Sequence, residues 1–255
     1  MRRSLPAVVL FCFASIAYAD TASYAKDLAD NDEARAVDAA AALGKSSDPK
    51  ALEALVAALD AGTTPKAAVA ACAALGAKKD ARAVAILTQY AHHRAAEVRK
   101  AALAALAQIN DKRATQALSD GLGDSDAEVR AAAAKGIADR RDKTAEERLI
   151  KLMEHRDASA AGALAAIATP ALAHRLSEML GAVPDPILCT ALGEMLKRAD
   201  FGPEPIRVEV VHTLAKVPGI DSTAVLVEYV ASTEKDKNRP SRLEAQKVVD
   251  DRSRQ

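Results

Sequence analysis

Apolar residues recur through most of this chain at spacings of three and four, as at Val98, Ala102, Ala105, Leu106 and Ile109. That spacing lays one apolar stripe along an α-helix. The stripes themselves repeat. Val98-Arg99 returns thirty-one residues on as Val129-Arg130, and the same offset carries Leu106 to Ile137, Asp111 to Asp142 and Leu118 to Leu149. One step back stand Leu75, Asp80, Arg82 and Leu87, and thirty-two residues before those stand Leu43, Asp48, Lys50 and Leu55. Farther on, Ile206-Arg207, Leu214, Asp221 and Leu226 give the pattern again, with two extra residues around Pro218-Gly219. A degenerate unit around Ala160 to Leu180 and an atypical one from near Pro184 lie between.

Each unit reads as two helices joined by a turn. The second opens with Asp48, Asp80, Asp111, Asp142 or Asp221, whose carboxylate can accept the free N–H groups of a first turn and meets the positive end of the helix dipole. Pro49, Pro65 and Pro186 stand where a first helical residue is expected, and Gly44 aligns with Gly76 as a C-cap. No single pair can bury its own stripe, so the pairs must stack. Alanine makes up roughly a quarter of the chain, with 50% hydrophobic residues, 3% aromatic and no Trp. Alanine is the best helix former and lets helices approach closely, so the composition agrees with an all-α fold.

The pattern V-R-x-x-A-x-x-A-L, a short turn, then D-x-[KR]-A-x-x-x-L resembles HEAT repeats, in particular the short phycobilisome-lyase-type HEAT-like units, over roughly residues 31–232. The resemblance implies an all-α, right-handed α-α superhelix, a HEAT/armadillo-like solenoid of about six to seven helix pairs, with the second helices lining its concave side. It also implies that the turn aspartates and Arg99, Arg130 and Arg207 form ladders between repeats. The first two units lack the V-R pair.

The ends read differently. Arg2-Arg3, the apolar run Leu5 to Ile16 and Ala17-Tyr18-Ala19 read as a signal peptide, 1–19, cleaved before Asp20 and giving a periplasmic or secreted protein. A buried N-terminal helix is the alternative. A lipoprotein at Cys12 fits less well because Phe11 is bulky, and Arg2-Arg3 leaves the export route open. The solenoid then covers 20–232, and 233–255 forms a polar linker and a capping helix, Pro240 to Asp250, with Leu243, Val248 and Val249 inward. No later stretch is apolar enough to enter a membrane.

Lys and Arg number 35 against 35 Asp and Glu; without Arg2 and Arg3 the balance is 33 to 35, a charge of −2. A nucleic-acid binder needs a basic excess, so that class is excluded. Gly44-Lys45-Ser46 fits a relaxed phosphate-loop string but sits at a helix end, without the preceding strand such a loop needs. Asp200-Phe201-Gly202 lacks the other kinase motifs and reads as an inter-repeat loop. Of His92, His93, His155, His174 and His212, the adjacent pair points about 100° apart on a helix and cannot readily chelate one ion. His92, His93 and His155 lie near the ends of second helices, and none of the five is followed by Glu as in the iron-binding deoxyhypusine hydroxylase branch. No metal or cofactor is expected. Cys72 and Cys189 hold equivalent places in separated repeats, too far apart for a disulfide, and are expected as buried thiols.

Register places Glu53, Gln116 and Glu147 two residues before the second-helix leucine and Gln89, Asp120, Lys151 and Glu228 two after it. Each such pair lies on one ridge. The ridge reads as a polar face for a protein or peptide partner, or as a solvated face without one; Tyr90 and Tyr229, three after the leucine, are groove anchors or core. The expected function is a monomeric, non-enzymatic interaction scaffold. A chromophore-lyase-like enzyme is the alternative, by resemblance alone.

Overall fold

The computed structural model describes residues 20–30 and 32–254, so the segment expected to be cleaved, 1–19, lies outside the described residues. After a helix over 20–28 (α1), the chain runs through α2 (Glu33–Lys45), α3 (Pro49–Ala61), α4 (Pro65–Lys78), α5 (Val84–Tyr90), α6 (Ala96–Gln108), α7 (Lys112–Gly121) and α8 (Ala127–Arg140). It continues with α9 (Glu146–Glu154), α10 (Ser159–Ile167), α11 (Pro170–Glu178), α12 (Asp185–Lys197), α13 (Glu204–Lys216), α14 (Ile220–Ser232) and α15 (Pro240–Ser253). Short 3-10 turns at Ala81–Ala83 and Lys143–Ala145 lead into α5 and α9. An isolated bridge between Leu180 and Val183 is the extended pairing among the described residues. From α2 on, the fold is all-α: seven successive helix pairs.

Side chains write the helix starts. Asp48 accepts from Lys50 N at 2.9 Å, Asp80 from Arg82 N at 2.9 Å, Asp111 from Arg113 N at 2.7 Å and Asp142 from Thr144 N at 3.0 Å. Thr64 and Thr169 accept from Ala67 N and Leu172 N, each with proline at the next position. Asp221 is different: α14 is preceded by Gly219, and no side chain caps it. Asp221 stands inside the first turn, where its charge meets the dipole without taking up a cap N–H.

The chain divides into two units, residues 1–136 and 137–255, with α8 running across the division. In the first, α2, α4 and α6 pack side by side as one row, and α3, α5 and α7 form a second row. The repeating leucines Leu43, Leu55, Leu75, Leu87, Leu106 and Leu118 are fully buried between them. Each is worth about 1.5–3 kcal/mol over an exposed leucine. In the second unit α10, α12 and α14 make one row and α11, α13 and α15 the other, around Leu164, Leu176, Leu192, Leu214 and Leu226.

Two sequence expectations change here. Gly44 and Gly76 are not C-caps. Both lie inside their helices; Ser46 caps α2, and Lys79, in the left-handed conformation at φ 54°, caps α4. A Cβ on Gly44 would stand 2.9 Å from that of Ala74, and one on Gly76 would stand 2.8 Å from the Cα of Ala105. These glycines let neighbouring first-row helices approach to backbone contact. The second change is register. Ile206-Arg207 lies on α13, in the row of second helices, although its pattern copies the first-helix Val98-Arg99. α12 takes the first-helix place, and α14, with Asp221 and Glu228, follows it in that row.

At the C-terminus α15 packs on α13 and α14 as the second helix of the last pair. Its buried residues are Ser241 and Ala245, whereas Leu243 is 51% exposed. The polar inward face is paired: the Tyr229 hydroxyl lies 2.6 Å from Ser241 Oγ, and Ser241 donates to Glu204 at 2.7 Å. Arg252 donates to the last carbonyls of α13, Ala215 O and Val217 O, both at 2.8 Å.

Candidate functional site: the second-row faces

Exposed polar side chains stand two residues before or two residues after the buried leucines Leu55, Leu87, Leu118 and Leu149. In the first unit these are Glu53 on α3, Gln89 on α5, and Gln116 and Asp120 on α7. Gln116 Nε2 donates to Asp120 Oδ1 at 3.0 Å, one turn along the same ridge, and Glu53 lies 3.9 Å from Arg82 of the next helix. In the second unit Glu147 and Lys151 are exposed on α9. Glu147 accepts two bonds from Arg175 of α11, at 2.5 and 3.0 Å, and this hydrogen-bonded guanidinium holds the carboxylate below its usual range. Glu228 does not join this set. It lies on α14 in the other row, 2.9 Å from Lys197 of α12.

Tyr90 and Tyr229 are core residues. Tyr90 is 8% exposed and donates to Leu59 O at 2.6 Å; Tyr229 is 1% exposed. Cys72 and Cys189 are free and buried, and burial pushes their thiols up to about 12 and about 11.

The three arginines do two different jobs. Arg99 reaches back to His93 O and Arg94 O at 3.0 and 3.2 Å and forms two 2.7 Å bonds with Asp124, in the loop before α8. Arg130, thirty-one residues on, binds Asp124 O and Ser125 O at 2.8 and 3.0 Å. Each thus ties down the loop entering its own helix, and Asp124 links the two. Arg207 departs from this: it is 1% exposed and donates to Leu196 O at 2.9 Å and Arg198 O at 2.6 Å, closing the end of α12. Its ring neighbour is Phe201, 5.4 Å from the guanidinium carbon. That role follows from its place on α13 beside the end of α12.

Pattern analysis missed one feature. α11 and α13 face each other across a cleft of about 400 Å³. His174 Nδ1 of α11 lies 2.7 Å from Glu209 Oε1 of α13, and His212 Nε2 of α13 lies 3.7 Å from Glu244 Oε2 of α15. The partners come from different helices, so no sequence spacing reveals them. Among the described residues no group of three or more His, Cys, Asp or Glu side chains is placed to hold a metal ion. No described helix is long and apolar enough to cross a membrane.

A family model for HEAT repeats matches residues 55–128 and 118–197, more than half of the chain, and one for PBS lyase HEAT-like repeats matches 36–61. The chain belongs to the HEAT-repeat family. Its paired helices are HEAT units, with the second row formed by their second helices. No curated protein matches the sequence. Among solved structures, the complex of CpcE and CpcF of phycocyanin lyase from Nostoc sp. is 20% identical, covering 89% of this chain and 92% of that one at a TM-score of 0.48. Human deoxyhypusine hydroxylase in complex with glycerol is 17% identical, covering 95% and 99%, at a TM-score of 0.42. A designed armadillo repeat protein is 19% identical, covering 89% and 98%, at a TM-score of 0.34.

Proposed function

We propose that this HEAT-repeat protein is a non-enzymatic interaction scaffold, exported to the periplasm or beyond, that binds a protein or peptide through the second helices of its repeats. The observation that carries the reading is that each second helix of the first unit exposes a polar side chain two residues from its buried leucine, Glu53 and Gln116 before it and Gln89 and Asp120 after it. A hydrophobic face would aggregate, and a face without register would give a partner no repeating contacts. The amino-terminal pattern supports export. Photo-crosslinking residues placed at Gln89 and Gln116 should capture one discrete partner in cells, whereas the same group at exposed Lys66, in the first row, should not. Equal capture at both faces, or none, would overturn the scaffold reading. Mass spectrometry of the exported chain should find Asp20 at its N-terminus; an intact Met1 in the soluble fraction would remove the export part.

The match of residues 36–61 to a lyase-type repeat supports a chromophore-lyase-like role as the second reading. Visible absorbance carried through purification would favour it.

A further inference from the structure

We propose that the cleft between α11 and α13 is a site for a lysine or arginine side chain of a protein partner, open when His174 is neutral and closed when it is protonated. The proposal rests on the scaffold reading and gives that partner its chemistry.

The lining offers acceptors. Glu178 of α11 and Glu209 of α13 place carboxylates on opposite walls. The hydroxyls between them have already spent their protons: Ser177 donates to Ala173 O at 3.0 Å and Thr213 to Glu209 O at 3.1 Å, so oxygen lone pairs remain for a ligand. With His174 neutral, the carboxylates of Glu178 and Glu209 face one lining ammonium, Lys216. Pro205 and Val208 add apolar surface. A basic side chain has the matching halves, a methylene stem for that surface and a donor head for the carboxylates.

The histidines compete for the same oxygens. His174 Nδ1 stands 2.7 Å from Glu209, and its Nε2 stands 3.4 Å from Glu178, so one imidazolium spans both walls. His212 leans on Glu244 of α15 at 3.7 Å, with Glu209 and Lys216 on its own helix. From α9, Glu146 and Glu147 are engaged by Arg175, none of the three lines the cleft, and no lining residue comes from α12 or α14. The hydrogen bond and charge of Glu209, with the charge of Glu178, raise the His174 pKa above its usual value. Protonated His174 therefore persists to higher pH than a free imidazole and donates to both carboxylates; its neutral form keeps one N–H, frees the other carboxylate and removes the competing positive charge.

The test is an imidazole-resolved NMR titration of the full chain with acetyl-Gly-Arg-Gly-Arg-Gly-amide and with its Asp-for-Arg counterpart. Near pH 8 the basic peptide should shift the His174 and His212 resonances saturably, and near pH 5.5 its affinity should fall about fivefold or more. Glu209→Gln and Glu178→Gln should each weaken it about fivefold or more; Glu178 is 68% exposed, so its variant folds regardless of the first. His174→Gln should abolish most of the pH dependence while keeping the binding. Preference for the acidic peptide, no shift near pH 8, or affinity unchanged in both glutamine variants would overturn the site. A partner crosslinked at Gln89 or Gln116 that leaves both imidazoles unmoved would retain the scaffold and overturn the cleft.

Discussion

Two glycines at helix-interior positions should respond oppositely to the same methyl group. Gly162 lies in α10, exposed, and a Cβ added there meets nothing within 4 Å. Gly162→Ala therefore gains the helix-propensity difference alone, about 0.5–1 kcal/mol. At Gly76 the same gain meets the backbone of α6, with the new Cβ 2.8 Å from Ala105 Cα. Backbone cannot rotate away as a side chain can, so α4 and α6 must part, at about 1–3 kcal/mol. The net is a loss of up to about 2.5 kcal/mol. A kilocalorie shifts the melting temperature of a chain this size by about 2–4 °C. Thermal melts give the sign, and hydrogen exchange resolved by peptide gives the place. In α10 the large buried side chains are Leu164 and Ile167, so Ala158 to Pro184 should exchange before residues 98–150, and Gly162→Ala should narrow that gap. Effects of equal sign at the two glycines would refute the close-approach account. Equal protection of the two segments would refute the weak-segment account.

Asp111→Ala should lower the thermal midpoint, whereas Asp221→Ala, which removes no cap, should leave it near that of the parent. The hydrogen bonds of Arg113 hold the Asp111 carboxyl at about 2. Its contribution should therefore be complete above about pH 4 and vanish as the pH falls through 2, so the Asp111→Ala difference should close in acid melts. Arg207→Leu should cost about 3 kcal/mol by urea unfolding, since carbonyls it serves at Leu196 and Arg198 are left without their donor, at about 1–3 kcal/mol apiece. Thiol labelling should follow local opening, because both thiols are buried with raised pKa. Arg207→Leu should speed labelling of Cys189, which shares its unit, more than that of Cys72.

Repetition made the first unit legible. Asp48, Asp80 and Asp111, and Asp142 just past the division, announced helix starts because a cap bond is local, formed within three residues of the chain. The glycines misled for the complementary reason. A glycine near a helix end reads as a C-cap, and only the position of Ala105 on another helix reveals that Gly76 marks a contact. Row assignment failed similarly at Ile206-Arg207. Spacing of three and four records that a helix buries one stripe, and helices of both rows do so. Which row it joins depends on counting every helix before it, and α12 departed enough from the pattern to be miscounted.

The same departure bears on where function can reside. A residue required by the repeat recurs in every copy: the leucines, the turn aspartates and the small residues between helices all serve stacking. A residue that a stack does not require is free to serve something else. As a set, His174, Glu209 and His212 do not recur in the regular units, although His174 stands two residues before Leu176 as Glu147 does before Leu149. They occur where the pattern is weakest, on α11 and α13, and the fold rather than the sequence brings them together. The regular part of this HEAT array thus explains how the chain holds its helices. The irregular part carries polar groups that packing leaves unexplained, and under the proposed cleft those groups add to the ridge of the first unit a contact by which a partner would distinguish this protein from other stacks of the same fold.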